Sequence, residues 1–413
     1  MERGMRRLNL LSKQVRHFKQ APDYFAIAAS VFFVVLAEAT AGTYLTLFAA
    51  NRAQMSPLLL GILLSGSAVS GVTVSTWLGR RFDRKPSRVP ILLALLATAC
   101  GNILLALTTN HVLLVLTGCV LLGPGTAALP QLFALARMRL DRVGAVTAER
   151  GMTLLPAIDS MAWIAGPALG VGLITAFGFG GVFVASALCA VLAGMILLVA
   201  KVHAPAITES ERSVTTVTVH PPLRAMGFTG LSFIVFHMAM FVGSIALSIV
   251  VTRDLGGTNG DIGLIFSLSA FFEVVVMLCL VGVSSKSRRH LFILSGFILF
   301  ALYFGVVALA PALWMFVAAQ LLRAVAIGLV SGQGVNYFQA LMPNQVGSAT
   351  TLYTNTSQVG SMLSGITAGS WAQVYGYRSL FMLCTALSGI GLVLLQIGQR
   401  VRARETPLER TKL

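Results

Sequence analysis

The sequence has 413 residues, of which 56% are hydrophobic and only 11% are charged. A soluble domain carries about 25% charged residues, so this chain has far more nonpolar surface than a soluble fold could bury. The composition therefore excludes an ordinary soluble protein and indicates a chain that lies mostly in lipid. The net charge of +16 would suit nucleic-acid binding, but the positions of the basic residues give it another explanation.

The first predicted element is a basic segment, residues 1–23, in which Leu8, Leu11, Val15 and Phe18 recur at helical spacing. A basic amphipathic helix of this kind lies on the anionic cytoplasmic leaflet of a membrane. The apolar stretch that follows is longer than that of a signal peptide. We therefore interpret it as a permanent membrane span.

Twelve apolar stretches follow along the chain. Each has roughly the 20 residues that a helix needs to cross ~30 Å of hydrocarbon, and we number them spans 1 to 12. They cover residues 24–49, 58–78, 89–108, 112–136, 152–177, 181–200, 226–251, 262–283, 291–310, 312–337, 349–374 and 379–397.

The Lys and Arg residues indicate which ends of the spans lie in the cytoplasm. If the spans alternate in direction, 26 of the 30 fall on the side that also holds both termini. Arg52, Arg253 and Arg378 fall on the opposite side, and Arg323 lies inside span 10. Because cytoplasmic loops carry the excess of positive charge, we predict that both termini are cytoplasmic. Membrane topology thus explains the net charge, and nucleic acid is not a predicted partner.

The two halves of the chain repeat each other across the polar segment 201–225. Gly166 and Gly170 of span 5 recur 199 positions later as Gly365 and Gly369 of span 11. A nearly constant offset over separate helices indicates duplication. Further matches pair Gly178, Phe179 and Phe183 with Gly376, Tyr377 and Phe381, and Gly61, Ser65, Ser67 and Ala68 with Gly263, Ser267, Ser269 and Ala270.

We therefore predict an all-α membrane protein with twelve transmembrane helices in two pseudo-symmetric six-helix bundles. The predicted parts are a basic interfacial segment (1–23), a first bundle (24–200), a central cytoplasmic loop (201–225), a second bundle (226–398) and a basic cytoplasmic tail (399–413). This arrangement resembles the major facilitator superfamily, and the resemblance implies a mid-membrane cavity between halves that rock in alternating access.

The loop between spans 2 and 3 resembles the loop signature of that superfamily. Gly79, Asp83, Arg84 and Arg88 match, whereas Pro86 replaces the second glycine. Arginines that pair with the carboxylate, and a carboxylate at the N-terminus of a facing helix, would form a gating latch on the cytoplasmic side. The alternative is that these arginines only set the topology.

Span 5 contains Gly166-Pro167 followed by Gly170, which permits a bend and a close helix approach. The segment resembles the span-5 motif of major-facilitator antiporters, although Val171 stands where that motif has a second glycine. The resemblance implies a gating role, and packing alone is the alternative.

Two longer blocks resemble the bacterial sugar efflux transporter family. Residues 128–137 read Ala-Leu-Pro-Gln-Leu-Phe-Ala-Leu-Ala-Arg, and residues 347–355 read Gly-Ser-Ala-Thr-Thr-Leu-Tyr-Thr-Asn. Phe338-Gln339 before Leu341-Met342-Pro343 fits as well, although Ala340 stands where the family often has an acid. The resemblance implies proton-coupled export of sugars or glycosides.

Five titratable groups lie inside spans, where an ionised side chain costs at least ~2.5–3.5 kcal/mol and is a functional candidate. Glu273 is the first choice for proton coupling, because it also matches a glutamate of the sugar efflux family. The others are Glu38, Asp159, Arg323 and His237. The alternatives are a static ion pair of Glu273 with Arg323 and a packed, hydrogen-bonded His237.

Polar side chains and aromatic rings inside the spans are candidates for substrate binding. Amides supply the directional hydrogen bonds that sugars require, and rings can cover apolar sugar faces. Hydrogen bonding between helices is the alternative role for the polar group. The candidates are Asn355, Gln358, Gln333, Asn336, Tyr337, Tyr44, Trp163 and Trp371.

Together these features predict a monomeric bacterial inner-membrane exporter, driven by protons, with a small sugar or glycoside as substrate. A multidrug or amphiphile–proton antiporter is the alternative, because the 15 Met and 24 Phe suit an adaptable apolar pocket. An enzyme is disfavoured, since the sequence has no nucleophile–base pair and no phosphate loop. A non-transporting sensor is disfavoured because it would not need a loop latch and several intramembrane acids. The five cysteines form no metal-binding pattern, so we predict neither a metal nor a cofactor.

Overall fold

The computed structural model describes residues 22–84, 86–200, 223–283, 289–342 and 346–409. Within these ranges all regular secondary structure is helical, as lipid requires of a chain that must satisfy its backbone internally. The basic N-terminal segment, the central loop and the end of the tail lie wholly or largely outside the described residues. The roles assigned to them stay predictions.

The helices, numbered in chain order, begin and end close to the predicted spans. One π-helical segment, Phe48–Arg52, continues from the end of α1, and another, Gly118–Leu122, lies within α4. The helices are α1 Pro22–Leu47, α2 Pro57–Arg84, α3 Val89–Leu107, α4 His111–Asp141, α5 and α6 as the two parts of Ala145–Val199, α7 Leu223–Arg253, α8 Asn259–Val283, α9 Arg289–Leu309, α10 Leu313–Leu341, α11 Val346–Tyr375 and α12 Leu380–Glu409.

Ten segments of the described chain are long and apolar enough to cross a membrane. One of them, Leu154–Val199, holds two spans because its backbone leaves the helical conformation at Gly178. α11 is not among these ten, yet its 30 residues are long enough to span. The described helices therefore agree with twelve spans, and the predicted fold class is confirmed.

The glycines that end α5 and α11 share one conformation. Gly178 has φ 66° and Gly376 has φ 77°, a left-handed backbone that a residue with a β-carbon avoids. Their separation of 198 residues is the repeat distance seen in the sequence. The duplication thus extends to the turns between consecutive spans.

Hydrogen bonds between helices repeat in the same way. Ser30 Oγ on α1 donates to the carbonyl of Ala193 on α6 at 3.1 Å, and Ser232 Oγ on α7 donates to the carbonyl of Gly391 on α12 at 2.7 Å. Ser232 follows Ser30 by 202 positions, and Gly391 follows Ala193 by 198. Equivalent side chains therefore join equivalent helices in the two halves.

A second pair of bonds follows the same offsets. Ser186 Oγ donates to the carbonyl of Ala37 at 2.9 Å, and Cys384 Sγ donates to that of Ala239 at 3.4 Å. In the second half a thiol replaces the hydroxyl without loss of the contact. The repeated bonds give the sequence duplication a structural counterpart.

The described chain forms two compact units. The first consists of residues 22–42, 69–108 and 116–200, and the second of residues 43–68, 109–115 and 223–409. The division follows the two predicted halves except for residues 43–68 and 109–115. These belong to the first half in sequence, but they pack with the second.

Each unit has its own core. In the first unit, apolar residues of α1, α3, α4 and α5 pack into one cluster that includes Val31, Leu95, Leu132 and Ala162. In the second unit, buried aromatic rings fill the space between α7 and α9, and the centroids of Phe236 and Phe300 lie 4.6 Å apart. These cores position the ionisable side chains described next.

Candidate functional site

Arg323 joins three helices of the second unit. Its Nη1 donates to Ser269 Oγ of α8 at 2.7 Å and its Nη2 donates to Ser244 Oγ of α7 at 3.2 Å. Its guanidinium carbon lies 5.7 Å from the ring centroid of Phe266, in cation–π geometry. Hydroxyls and a ring, rather than a carboxylate, are therefore its contacts within the described residues.

Glu273 lies one helical turn beyond Ser269 on α8 and is partly exposed. It lies close enough to Tyr353 for the carboxyl group and the phenol to interact, and that phenol is hydrogen bonded with the side chain of Ser331. A β-carbon on Gly328 of α10 would lie 3.3 Å from the carbonyl of Glu273, so the two helices approach closely at this level. Glu273 thus lies next to the hydroxyl group that binds Arg323, without forming the static ion pair considered from the sequence.

Glu38 and Asp159 come together in the first unit. Glu38 on α1 is exposed although its neighbours Ala37 and Ala39 are buried. Asp159 on α5 lies close enough for the two carboxylates to repel each other. Gly166 permits this approach, because a β-carbon there would lie 2.6 Å from that of Ala39. The structure therefore brings together two acids that lie 121 positions apart.

His237 is packed inside the second unit and only 4% exposed. Its Nδ1 lies 2.8 Å from the carbonyl oxygen of Phe233 and 3.3 Å from Thr356 Oγ1. Gly360 of α11 contacts it from the other side, where a β-carbon would lie 2.7 Å from that of His237. This environment matches the packed, hydrogen-bonded alternative considered for this histidine.

The predicted substrate residues separate by exposure. Three amide side chains are exposed: Asn355 and Gln358 on α11 and Asn336 on α10. Five others are buried or partly buried. Gln333, Tyr337 and Tyr44 are buried, and Trp163 and Trp371 are partly buried.

The partly and fully buried rings already have partners in the protein. Trp371 Nε1 donates to Ser379 Oγ at 3.0 Å, and Tyr337 Oη accepts from Gln399 Nε2 at 3.4 Å. Trp163 packs against the core of the first unit. In this arrangement the exposed amides are the groups available to a ligand.

The structure describes only some of the predicted gating residues. The side chains of Asp83 and Arg84 lie outside the described residues, so the cytoplasmic latch stays a prediction. A β-carbon on Gly79 would meet no heavy atom within 4 Å. Gly166, followed by Pro167, lies at the close contact of α5 with α1 described above.

A depression of about 510 Å³ lies at the C-terminal end of α1. Its lining consists of Ala50, Asn51, Gln54, Met55 and Arg253. Gln54 has φ 52°, a left-handed conformation uncommon for a residue with a side chain. The predicted substrate residues are not part of this lining.

The sequence did not assign roles to Ser244, Phe266 and Ser269, which surround Arg323. Ser269 belongs to the internal repeat, so a signal for a helix contact was present at that position. Nothing in the order of residues places Ser244 or Phe266 beside a residue of α10.

The duplicated six-helix bundles, with ionisable groups inside the spans, define a polytopic α-helical membrane transporter.

Comparison with known proteins identifies the family. The Major Facilitator Superfamily model matches residues 229–412. A protein of Deinococcus radiodurans whose name assigns it to the sugar efflux transporters is 39% identical over 371 residues, which cover 89% of this chain and 95% of that protein. Sugar efflux transporter C of Escherichia coli K12 is 31% identical over 369 residues, covering 88% and 93%. The chain therefore belongs to the sugar efflux transporters of the Major Facilitator Superfamily.

Solved structures agree with this fold. A bacterial homologue of the human lysosomal transporter Spinster has a TM-score of 0.73 at 12% identity, covering 92% of this chain and 97% of that one. The nucleoside transporter NupG has a TM-score of 0.70 at 14% identity, covering 92% and 98%. At these identities the likeness concerns the fold alone.

Proposed function

We propose that this protein exports sugars or glycosides across the bacterial cytoplasmic membrane by proton-driven alternating access. The observation that carries the proposed cargo is the 39% identity to a relative named for sugar efflux, over 95% of that relative's length. The positive-inside rule supports an orientation with both termini in the cytoplasm. Fusion of a reporter active only in the periplasm to either terminus should give no signal, and a signal would overturn this orientation.

The exposed amides support a polar cargo. Asn355 and Gln358 are three positions apart on α11 and therefore share one helical face. Each amide offers two donors and one acceptor, which match the hydroxyls of a sugar. An apolar drug would leave these amide groups without hydrogen-bond partners and would bind less well. The arrangement therefore favours a hydroxylated cargo over the multidrug alternative.

The intramembrane acids support coupling to protons. Glu38 is exposed on a mainly apolar helix, and an ionised carboxylate facing lipid costs ~2.5–3.5 kcal/mol or more. We infer that Glu38 faces water in at least one transport state or carries a proton when it does not. Glu273 in the second unit must likewise face water or carry a proton. A carboxyl that meets water on alternate sides can bind a proton outside and release it inside.

Proton entry and cargo exit then share one conformational cycle. A group that loads a proton must lose its charge before it can pass through a dry, closed state, because burial favours the neutral form. Cargo release outside would precede proton loading there. Export of the cargo is thus driven by the inward flow of protons.

Counterflow in proteoliposomes tests the cargo. Liposomes loaded with an unlabelled sugar or glycoside should accumulate the same labelled compound, whereas empty liposomes should not. Labelled cationic drugs, tested in parallel, should not accumulate. Accumulation of the drugs without any sugar would support the multidrug antiporter and overturn the sugar proposal.

A further inference from the structure

The C-terminal end of α1 is built differently from an ordinary helix end. Residues Phe48–Arg52 are π-helical, and Ala53 and Met55 donate their N–H groups to the carbonyls of Phe48 and Ala49, both at 2.9 Å. The next carbonyl, that of Ala50, needs a partner from elsewhere, because the chain turns away at this point. The partner comes from the second half of the sequence.

Arg253, the last residue of α7, supplies that partner. Its Nη2 donates to the carbonyl of Ala50 at 2.6 Å and its Nε donates to Asn51 Oδ1 at 2.9 Å. The two bonds fix the planar guanidinium in direction as well as in distance. The positive charge also lies at the C-terminal ends of both α1 and α7, where helix dipoles favour a cation. We call Arg253, Asn51 and Ala50 the α1–α7 clamp.

A buried phenol next to the clamp does not compete for the arginine. Burial raises the pKa of Tyr377, and the nearby charge of Arg253 lowers it by a smaller amount. The net increase keeps the phenol neutral at physiological pH. The phenol therefore offers no negative charge to Arg253, whose two bonds go to Asn51 and Ala50.

A second contact, between α2 and α11, also joins the first half of the sequence to the second. Gly61 and Ser65 of α2 cross Gly365 and Gly369 of α11, and Ser65 Oγ accepts a hydrogen bond from the N–H of Ile366 at 2.7 Å. Small residues permit this approach but supply little directional bonding. The α1–α7 clamp differs from this crossing in having a charged donor with two directional hydrogen bonds.

We propose that Arg253 is a positioning residue that holds α1 and α7 together and stabilises the transport state closed on the side opposite the termini. The inference rests on the alternating access proposed above, since a residue of this kind must release its partner once per cycle. Asn51 is exposed and Ala50 is buried, and hydrogen bonds from a charged donor to such acceptors are strong enough to bias one state and weak enough to break. Arg253 thereby sets how often the transporter opens on the side opposite the termini.

Arg378 provides a matched control. It is predicted to lie on the same side of the membrane, and its Nη2 also donates to a helix-end carbonyl, that of Ala310, at 2.6 Å. Both of these residues belong to the second half of the chain. Loss of Arg378 therefore removes the same kind of bond without releasing α1.

The test measures how readily the α2–α11 crossing opens. A single cysteine at Ser65, in a variant without the five native cysteines, reports opening by its rate of reaction with maleimide in nanodiscs. Arg253→Met should raise the rate by about tenfold, the size expected for loss of charge-assisted hydrogen bonds. Asn51→Asp should lower it, because a carboxylate binds the guanidinium more strongly than an amide does. Arg378→Met should leave it unchanged.

The two variants are expected to change the labelling rate in opposite directions, so either of them tests the proposal if the other fails to fold. An unchanged rate in Arg253→Met, or a faster rate in Asn51→Asp, would overturn the clamp. Sugar counterflow measured on the same preparations separates this outcome from the proposed cargo. Rates that change as expected while no sugar moves would support the clamp and count against sugar export.

Discussion

A β-carbon placed on Gly61 would lie 2.5 Å from the carbonyl oxygen of Gly365, so α2 and α11 cross with their backbones in contact. One turn further on, the position of Gly369 is equally restricted, by the carbonyl of Pro57 and by Gly61 itself. Both helices use small residues four positions apart, a pattern that lets membrane helices approach closely. The crossing therefore leaves no room for a larger side chain at Gly61.

Gly61→Ala should lower the thermal stability of the purified protein. The added methyl group meets backbone rather than a flexible side chain, and overpacking of this kind costs about 1–3 kcal/mol. Gly172→Ala on α5 is the control, because its β-carbon would meet no heavy atom within 4 Å. Since alanine stabilises a helix relative to glycine by about 0.5–1 kcal/mol, the control should unfold at an equal or higher temperature. Equal loss in both variants would contradict the close crossing.

Neutralising Glu38 and Asp159 should give non-additive effects on stability. Each single substitution, Glu38→Gln or Asp159→Asn, removes the same repulsion, so the double variant should gain less than the sum. Coupling between neighbouring groups is about 0.5–3 kcal/mol. Thermal unfolding in a double-mutant cycle measures it. The coupling should disappear at low pH, where both carboxyls are protonated and no longer repel.

Asp141 provides the control for that cycle. It is exposed and pairs with Arg137 at 3.0 Å. Arg139, two residues before it, contacts Asp23 in the first turn of α1 at 3.1 Å, which places this end of α4 about 20 Å along α1 from Glu38. Glu38→Gln and Asp141→Asn should therefore be additive. A coupling as large as that with Asp159 would rule out direct repulsion as its source.

Ser269→Ala should destabilise the protein more than Ser244→Ala. Ser269 is fully buried and accepts from Arg323 at 2.7 Å, whereas the bond to Ser244 is 3.2 Å long. Removing a buried partner of a charged donor costs about 1–3 kcal/mol. Arg323→Lys should lose at least as much, because a lysine lacks the fork that reaches both hydroxyls. Thermal unfolding of the three variants measures these losses of stability. Equal losses in Ser269→Ala and Ser244→Ala would contradict the predicted order.

Glu273→Gln should separate transport from the proton gradient. Gradient-driven sugar transport should fall close to the rate of empty liposomes, while exchange of sugar for sugar should continue, since exchange needs no net proton movement. Asp254→Asn, an exposed acid beyond the end of α7, should leave both rates unchanged. Unchanged gradient-driven transport in Glu273→Gln would remove Glu273 from the coupling role.

Asn355→Ala and Gln358→Ala should weaken sugar binding. Each removes an exposed amide, and a lost hydrogen bond of about 1 kcal/mol raises the dissociation constant roughly fivefold. Thr354→Ala is the control on the same helix, because its hydroxyl already donates to the carbonyl of Thr350 at 3.1 Å. Titration of the sugar in a thermal-shift assay measures the change. Equal weakening by the control would indicate a general effect on α11.

Much of the fold was predictable because the information is local. Hydropathy along the chain located the spans, and Gly178 and Gly376 recur at the repeat distance of the two halves. The titratable residues inside spans were also identifiable, since a charge in hydrocarbon is rare whatever its surroundings. Ser30 and Ser232 show the limit, because the sequence contains the repeat without showing which carbonyls these hydroxyls reach.

The sequence by itself determined that this chain spans the membrane about twelve times as a duplicated six-helix unit, because span length and apolar composition depend only on neighbouring residues. The tertiary structure alone decided which side chains meet. Tyr44 is buried, Asn355 is exposed, and Arg323 contacts serines rather than Glu273. The physical reason is that the rotation of each helix about its axis is set by packing against its neighbours, and the polarity of a single residue does not report that rotation.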